Sequence, residues 1–247
     1  MSFNWKKSLI VVFDIAIAAS LILAVTAFNK PAERASVCSE VKIDIDDEMP
    51  DGFLNANEIK QILERQRLYP LAQPMMSVNA RDIEEALRKS PFVQQAECYK
   101  AQNGHVCISL KQRMPIMHVM ATNGDNYYVD THGSILPETH FASDLVVATG
   151  WITKKYAQKT LTQAANEVIR DKFWQSQIVQ INVLNDGSIE MVPRVGDHIL
   201  YLGSPNDIAR KLERLRKFYL YGLNQAGWNK YTYISVEFDN QIICKKK

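Results

Sequence analysis

The chain has 247 residues, of which 23% are charged, and a formal net charge of +2 at pH 7. A charge this close to zero argues against nucleic-acid binding, which requires a strongly basic face. The four cysteines include no C-x-x-C pair, which argues against a zinc site or a thioredoxin-type site.

An apolar run covers residues 9–28 and directly follows Lys6 and Lys7. Its length matches the hydrocarbon core of a bilayer, so we predict a transmembrane helix at 9–28. Asp14 would cost at most ~3.5 kcal/mol at mid-membrane, but each surrounding Leu, Ile, Phe or Val returns roughly 0.3–0.6 kcal/mol, so insertion is still favoured. The two lysines place residues 1–8 in the cytoplasm and the long remainder on the other side. A cleavable signal peptide is the alternative to an anchor.

A first folded unit is predicted from five segments that follow a short polar linker. Apolar and polar residues alternate over 37–45, as in a half-buried strand. One helix starts at a capping box formed by Asn55 and Glu58, and a second helix starts at Asn79. Two strands then flank an Asn-Gly turn, at 92–100 and 105–113. The order β-α-α-β-β predicts a small α+β domain over residues 37–114.

After residue 115 the pattern changes to short strands separated by turn residues, with two helices among them. The helices are predicted at 155–173 and from a Ser204 cap to Tyr219. The strands are predicted at 116–121, 126–130, 145–149, 178–183, 188–192 and 199–202, with an unusually long last strand at 231–244. The sequence therefore predicts a β-rich domain with two helices over 115–247, and an α+β fold for the chain as a whole.

Catalytic motifs are absent from the sequence: no nucleophile elbow, phosphate-binding loop or zinc-protease spacing occurs. Asp130, His132 and His140 are conceivable metal ligands, but Asp and His beside Gly133 and Pro137 are also ordinary turn residues, and we favour the turn. We therefore expect a protein that is not an enzyme and that holds no cofactor and no metal.

Cys98 and Cys107 flank the turn at Asn103 and Gly104, which makes them the best candidates for a disulfide. The four cysteines together allow three different connectivities. Free buried thiols are the alternative interpretation, because cysteine is among the most frequently buried residues.

Aromatic residues cluster near the carboxyl end of the chain. They either pack the last helix on the last strand or form a protein-binding surface, since aromatic side chains anchor many interfaces. The cluster consists of Phe218, Tyr219, Tyr221, Trp228, Tyr231 and Tyr233.

Four motifs in order resemble those of the FtsQ/DivIB cell-division family. L-K-Q-R-M-P at 110–115 is similar to the junction that follows the family's POTRA domain, and Y-Y-V-D-x-x-G at 127–133 is similar to its strand-turn motif. Gly203 and the following helix with Lys211 resemble its segment in which a Leu-Gly pair precedes a Lys-Leu pair, and Y-I-S-V-E-F at 233–238 resembles its closing strand. The cysteine usage and the tail at 240–244 are similar to the version found in the Bacteroides-like lineage.

The resemblance implies a non-enzymatic scaffold of the divisome, with a POTRA domain next to the membrane. In that family the β-rich domain binds the FtsB–FtsL coiled-coil pair, one segment of which adds a strand beside the last strand. Ser235 and Glu237 depart from the family's usual Asp and Arg, which puts any charged contact at those two positions in doubt. The expected partner-binding residues are Tyr233, Val236, Phe238, Asn240, Gln241 and Ile242.

The resemblance also implies a location. The chain is expected to be a single-pass protein of the bacterial inner membrane, with a cytoplasmic amino terminus and periplasmic domains, enriched at the division septum. Further partners of the POTRA domain are expected among divisome membrane proteins. Two alternatives are an envelope assembly factor or chaperone that uses the POTRA domain, and an anchored envelope enzyme.

Overall fold

The computed structural model of the chain describes residues 5–28, 36–46, 53–101, 103–139 and 144–247. Helix α1 comes first, at Trp5–Phe28, and two shorter helices follow, α2 at Ala56–Arg65 and α3 at Ala80–Arg88. Helix α1 covers the segment for which the apolar run predicted a membrane helix. Across the part of the chain described, however, no helix has the combination of length and hydropathy that a membrane span needs.

The first folded unit contains strands β1 (Glu40–Asp46), β2 (Val93–Lys100) and β3 (His105–Gln112). The strand order is β1-β3-β2, with β1 parallel and β2 antiparallel to the central β3. Helices α2 and α3 contribute Ile59, Leu63 and Leu87 to a core that also takes in Ile108 of β3. The predicted β-α-α-β-β order is confirmed.

The capping box at the start of α2 forms as predicted. The Asn55 side chain accepts a hydrogen bond from the Glu58 backbone N–H at 3.0 Å, and the Glu58 carboxylate accepts one from the Asn55 N–H at 2.9 Å. Asn79 caps α3 through a single bond, in which its side chain accepts from the Arg81 N–H at 3.1 Å. These bonds satisfy amides that the first helical turn leaves unpaired, which fixes where each helix begins.

The predicted Cys98–Cys107 disulfide is wrong, because the two side chains leave their strands on opposite faces. Cys98 lies opposite Ile108, and its neighbour Tyr99 lies opposite Cys107, so the two cysteines are one register position apart. Cys98 is buried in the core while Cys107 lies on the open face, and both are free thiols. Burial, with a smaller contribution from Glu84, raises the pKa of the Cys98 thiol to about 11.

The second folded unit is a nine-stranded mixed sheet in the order β12-β11-β10-β9-β8-β7-β4-β5-β6. Its strands are β4 (Pro115–Ala121), β5 (Asn126–Asp130), β6 (Ile135–Pro137), β7 (Val146–Gly150), β8 (Ile178–Val183), β9 (Ile189–Pro193), β10 (Ile199–Gly203), β11 (Tyr231–Ser235) and β12 (Ile243–Lys246). The sequence predicted most of these strands to within a residue or two. It missed β6, whose three residues are too few to show an alternating pattern.

Helices pack their apolar sides against this sheet and close a second hydrophobic core. They are α4 (Lys154–Tyr156), a π-helical turn (Ala157–Leu161), α5 (Thr162–Arg170), α6 (Lys172–Gln177), α7 (Ile208–Lys217), a second π-helical turn (Phe218–Leu223) and α8 (Asn224–Ala226). Trp174 and Tyr219 are the largest fully buried side chains of this core. The helix predicted at 155–173 is broken after Arg170, because Asp171 is extended and caps α6 through the Phe173 N–H.

The long last strand predicted at 231–244 is also wrong. The chain forms two strands, β11 and β12, which pair antiparallel with Ser235 opposite Ile243. A connection at 236–242 joins them, with a turn near Asp239 and Asn240. Asp and Asn favour turns because their side chains can hydrogen-bond nearby backbone groups, so the chain reverses at this pair although the apolar alternation continues past it.

Candidate partner-binding edge

Strand β12 forms one edge of the nine-stranded sheet. It pairs with β11 on one side, and no described strand pairs with it on the other. An edge strand presents backbone N–H and C=O groups that can extend the sheet into another chain. Its first residue, Ile243, is 48% exposed, and Lys245 and Lys246 are also exposed, so the outer edge is accessible.

Two of the six predicted contact residues help to build the sheet behind this edge. Tyr233 lies in β11, where its ring stacks on Tyr201 of β10 at 5.7 Å between centroids. Burial, with smaller contributions from Glu190 and other neighbours, raises the pKa of Tyr233 to about 12. Val236 is fully buried, and its N–H donates to the Tyr201 carbonyl at 2.9 Å. Val236 is therefore a core residue and no partner can contact it directly.

The other four predicted contact residues lie in the connection between β11 and β12, not in a strand. Phe238 is 52% exposed, and Asn240 and Gln241 are exposed as well. Ile242 is half-buried and packs against the second core. The exposed residues can touch a partner through their side chains, but the strand that could accept an added strand is β12.

Two arginines of α7 fasten this connection to the body of the domain. Arg210 forms an ion pair with Asp239 at 2.9 Å. Arg214 donates to the carbonyl oxygen of Gln241 at 2.7 Å and to that of Val236 at 3.3 Å. Hydrogen bonds from a charged donor are stronger than neutral ones, so α7 fixes the course of the chain into β12.

A groove of about 540 Å³ lies between the end of α7 and the connection. Its floor and walls combine apolar rings with cationic and amide side chains. The lining residues are Arg214, Lys217, Phe218, Tyr221, Gly222, Asp239, Asn240, Gln241 and Ile242. Such a groove, next to the first residue of β12, suits an apolar side chain flanked by polar or acidic groups.

The carboxyl end of this edge carries positive charge. Lys245, Lys246 and Lys247 succeed one another at the end of β12. Lys247 pairs with Asp197 at 2.9 Å, and this hydrogen bond lowers the pKa of the Asp197 carboxyl. Complementary charge guides partners to an interface and fixes their register, so this edge favours an acidic segment.

Both interpretations of the aromatic cluster apply, each to different members. Tyr219 is buried and packs edge-on against Trp174 and Trp228, and Phe218 and Tyr231 pack at the margin of the same core. Tyr221, in contrast, is 70% exposed and lines the groove. Most of the cluster therefore packs in or against the core, and Tyr221 is exposed at the surface.

Asp130 takes part in a turn, which is the alternative that the sequence favoured over a metal site. Asp130 accepts hydrogen bonds from the backbone N–H groups of His132 at 2.8 Å and Ser134 at 2.7 Å, as a turn-forming residue does. His140 lies outside the described residues. Among the residues that are described, no three His, Cys, Asp or Glu side chains come close enough to hold a metal.

The sequence did not predict the role of the two arginines of α7, and it did not predict that β12 is a strand separate from β11. Arg210 and Arg214 belong to one helical face, four residues apart, but basic residues are so frequent on this helix that their spacing gave no signal. The signal for β12 was available in Asp239 and Asn240, which are depleted in strands.

Two family models match the chain. One is described as FtsQ/DivIB, C-terminal related, and matches residues 114–245, and the other is described as a POTRA-like domain and matches residues 36–111. No curated protein matches the sequence. The first match covers more than half of the 247 residues and falls on the nine-stranded sheet and its helices, while the second falls on the β-α-α-β-β unit. The chain therefore belongs to the FtsQ/DivIB family, with a POTRA-like domain followed by a β-rich domain.

Proposed function

We propose that this chain is a non-enzymatic scaffold of the cell-division machinery that binds FtsB/FtsL-like membrane proteins by strand addition at β12. Membership of the FtsQ/DivIB family supports a scaffold role in cell division. The unpaired outer edge of β12 is the observation that carries the finer proposal. The edge backbone would supply affinity, as it does wherever an extended peptide joins a sheet.

The groove beside β12 would supply specificity. A partner strand that follows β12 toward Ile243 reaches the connection and the end of α7. There an apolar side chain can enter between Phe218 and Ile242, which line the groove. Acidic residues on either side of it would face Arg214 and the terminal lysines. We therefore propose that the bound segment is acidic and carries an apolar anchor.

We further propose that the apolar segment at residues 9–28 anchors the protein in the inner membrane, with both domains in the periplasm and the protein enriched at the septum. The apolar character of residues 9–28 and the preceding lysines support this orientation. A scaffold tethered in this way meets single-span partners in two dimensions, which raises their effective concentration at the edge.

The test is photo-crosslinking in living cells from an amino acid placed at Ile243 or at Phe238. Tyr99 provides a matched control, because it is 58% exposed and belongs to the POTRA-like domain. We expect Ile243 and Phe238 to capture a small single-span protein with a coiled-coil heptad pattern, and Tyr99 not to capture it.

Two results would contradict the proposal. Capture of the single-span partner from Tyr99 alone would place the binding surface on the POTRA-like domain. Capture of assorted unfolded envelope proteins would indicate an assembly factor or chaperone instead of a division scaffold.

A further inference from the structure

The two domains are joined by only two residues, Arg113 and Met114, which separate the end of β3 from the start of β4. Domains joined in this way move relative to each other unless further contacts hold them. The residues around this joint belong to two motifs that are far from the β12 edge. The binding function proposed above gives those motifs no role.

Arg113 contacts both domains. Its backbone N–H donates to the carbonyl oxygen of Phe92 in the POTRA-like domain at 2.8 Å. Its guanidinium donates to the Asp130 carboxylate at 3.0 Å and to the Ser134 hydroxyl at 2.9 Å, both in the β-rich domain. The Asp130 side chain is only 3% exposed, so this ion pair is shielded from water on one side. Ion pairs screened less by solvent are stronger.

The carboxylate of Asp130 is held in place by its own turn. One of its oxygens accepts the backbone N–H groups of His132 and Ser134, which leaves the other oxygen directed at Arg113. The turn itself needs Gly133, which has a positive φ of 80° and whose added Cβ would lie 2.1 Å from the Gln158 carbonyl oxygen. The Y-Y-V-D-x-x-G motif thus positions the Asp130 carboxylate to bind the Arg113 guanidinium.

An aromatic contact crosses the joint beside this ion pair. Phe53 stacks on Phe92 of its own domain at 5.0 Å and meets Tyr128 of the β-rich domain at 5.9 Å. The buried Gln112 fixes the backbone next to Phe53, because its side-chain amide accepts from the Leu54 N–H at 3.0 Å and donates to the Leu54 carbonyl at 2.7 Å. Gln112 and Arg113 are neighbours in the L-K-Q-R-M-P motif.

We propose that Arg113, Gln112, Phe53, Tyr128 and Asp130 form an interdomain clasp that holds the two domains as one rigid body. The first motif provides the glutamine and the arginine, the second provides the tyrosine and the aspartate, and Phe53 lies outside both motifs. The clasp fixes the position of the β12 edge relative to the POTRA-like domain. A partner that touches both domains therefore meets them at a constant separation and angle.

The clasp is tested by measuring an interdomain distance in the full chain with double electron–electron resonance. Spin labels are attached through azide-bearing amino acids at Lys89 and Lys155, which are exposed residues of the two domains, because four native cysteines exclude thiol labelling. A second pair, at Arg65 and Lys89, reports on the POTRA-like domain alone. Arg113→Gln removes the guanidinium fork but leaves both turn hydrogen bonds of Asp130.

We expect a narrow interdomain distance distribution in the native chain and a broadened, shifted one in Arg113→Gln and in Phe53→Ala. The Arg65–Lys89 distribution should remain unchanged in both. Arg81→Gln is the matched control, because Arg81 forms an exposed ion pair with Glu85 inside one domain. It should alter neither distribution.

An interdomain distribution in Arg113→Gln identical to that of the native chain would overturn the proposal. A change in the Arg65–Lys89 pair would also overturn it, since the residues would then support the fold of one domain instead of joining two. The measurement needs no partner, so its outcome is independent of whether β12 binds one.

Discussion

Lys211 holds helix α7 in place, and α7 in turn holds the connection that leads into β12. It is a buried lysine whose ammonium donates to the carbonyl oxygens of Leu202 at 2.8 Å and Ser204 at 2.7 Å, where the chain leaves β10 for α7. Burial lowers the pKa of Lys211, and nearby carboxylates oppose that shift. Lys211 therefore has a structural role: it orients the helix whose arginines hold the connection.

We expect Lys211→Ala to lower the free energy of unfolding of the β-rich domain by about 2 kcal/mol, because two carbonyl groups lose a charged donor. Lys217→Ala is the matched control on the same helix. Lys217 is exposed and paired with Glu213, so its loss should change stability by about 0.5 kcal/mol or less. Urea unfolding of the two variants and the native chain measures the difference, and equal midpoints would contradict this role for Lys211.

His198 is a buried titratable residue that contacts the core of the β-rich domain. Its Nε2 lies 2.7 Å from the Tyr219 hydroxyl, its Nδ1 is buried without a described hydrogen-bond partner, and Asp197 precedes it. Burial lowers the pKa of His198 from 6.5, and the charge of Asp197 opposes this shift only in part. The unfolded chain therefore binds a proton at this residue more readily than the folded protein does.

This difference predicts a pH dependence of stability. The free energy of unfolding should decrease as the pH falls through the unfolded pKa of about 6.5, because protonation then favours the unfolded state. His198→Gln removes the titrating group, so the decrease between about pH 7 and about pH 5 should be smaller in the variant. Urea titrations across this range measure both slopes. Identical slopes would show that His198 does not titrate on unfolding.

The hairpin of β11 and β12 forms the edge at which we propose that a partner strand binds. Strand β12 is only four residues long, and at its end the Lys247 N–H donates to the carbonyl oxygen of Lys230 at 3.2 Å. Its other end depends on the connection that Arg214 holds. A short edge strand frays unless both ends are fastened, so α7 controls how well the edge is formed.

Arg214→Ala should therefore loosen the edge without unfolding the domain. The loss of hydrogen bonds to two carbonyl oxygens, roughly 1–3 kcal/mol, should speed amide exchange over residues 236–246 by about fivefold to about 150-fold. Arg216→Ala is the matched control, because Arg216 lies on the same helix but pairs with Asp171. Hydrogen exchange with mass spectrometry compares the two. Equal exchange over this segment would show that Arg214 does not hold it.

The same elements show what the sequence could and could not predict. Capping residues and the alternation of apolar residues depend on neighbours in the chain, so α2, α3 and most strands were predicted closely. The end of β11 was not, because Val236, Phe238 and Ile242 continue the alternating pattern beyond the strand. Only the tertiary fold determines that Val236 enters the core while Phe238 stays at the surface.

The whole molecule combines a POTRA-like domain, a β-rich domain and helix α1. The order of the predicted elements and the resemblance of the motifs to the FtsQ/DivIB family predicted the two domains, and the apolar run predicted the helix that precedes them. For the candidate site, the sequence predicted residues that lie close to β12 but not the separate edge strand itself. Which side of a strand is unpaired depends on the order of all nine strands, and no local pattern encodes that order.

The most direct test of the central claim is amide hydrogen exchange on the full chain with and without the partner captured by crosslinking. We predict that the amides of β12 become protected when the partner binds, while β6 at the opposite edge of the sheet does not change. Protection confined to the POTRA-like domain, with β12 exchanging as before, would contradict strand addition at this edge.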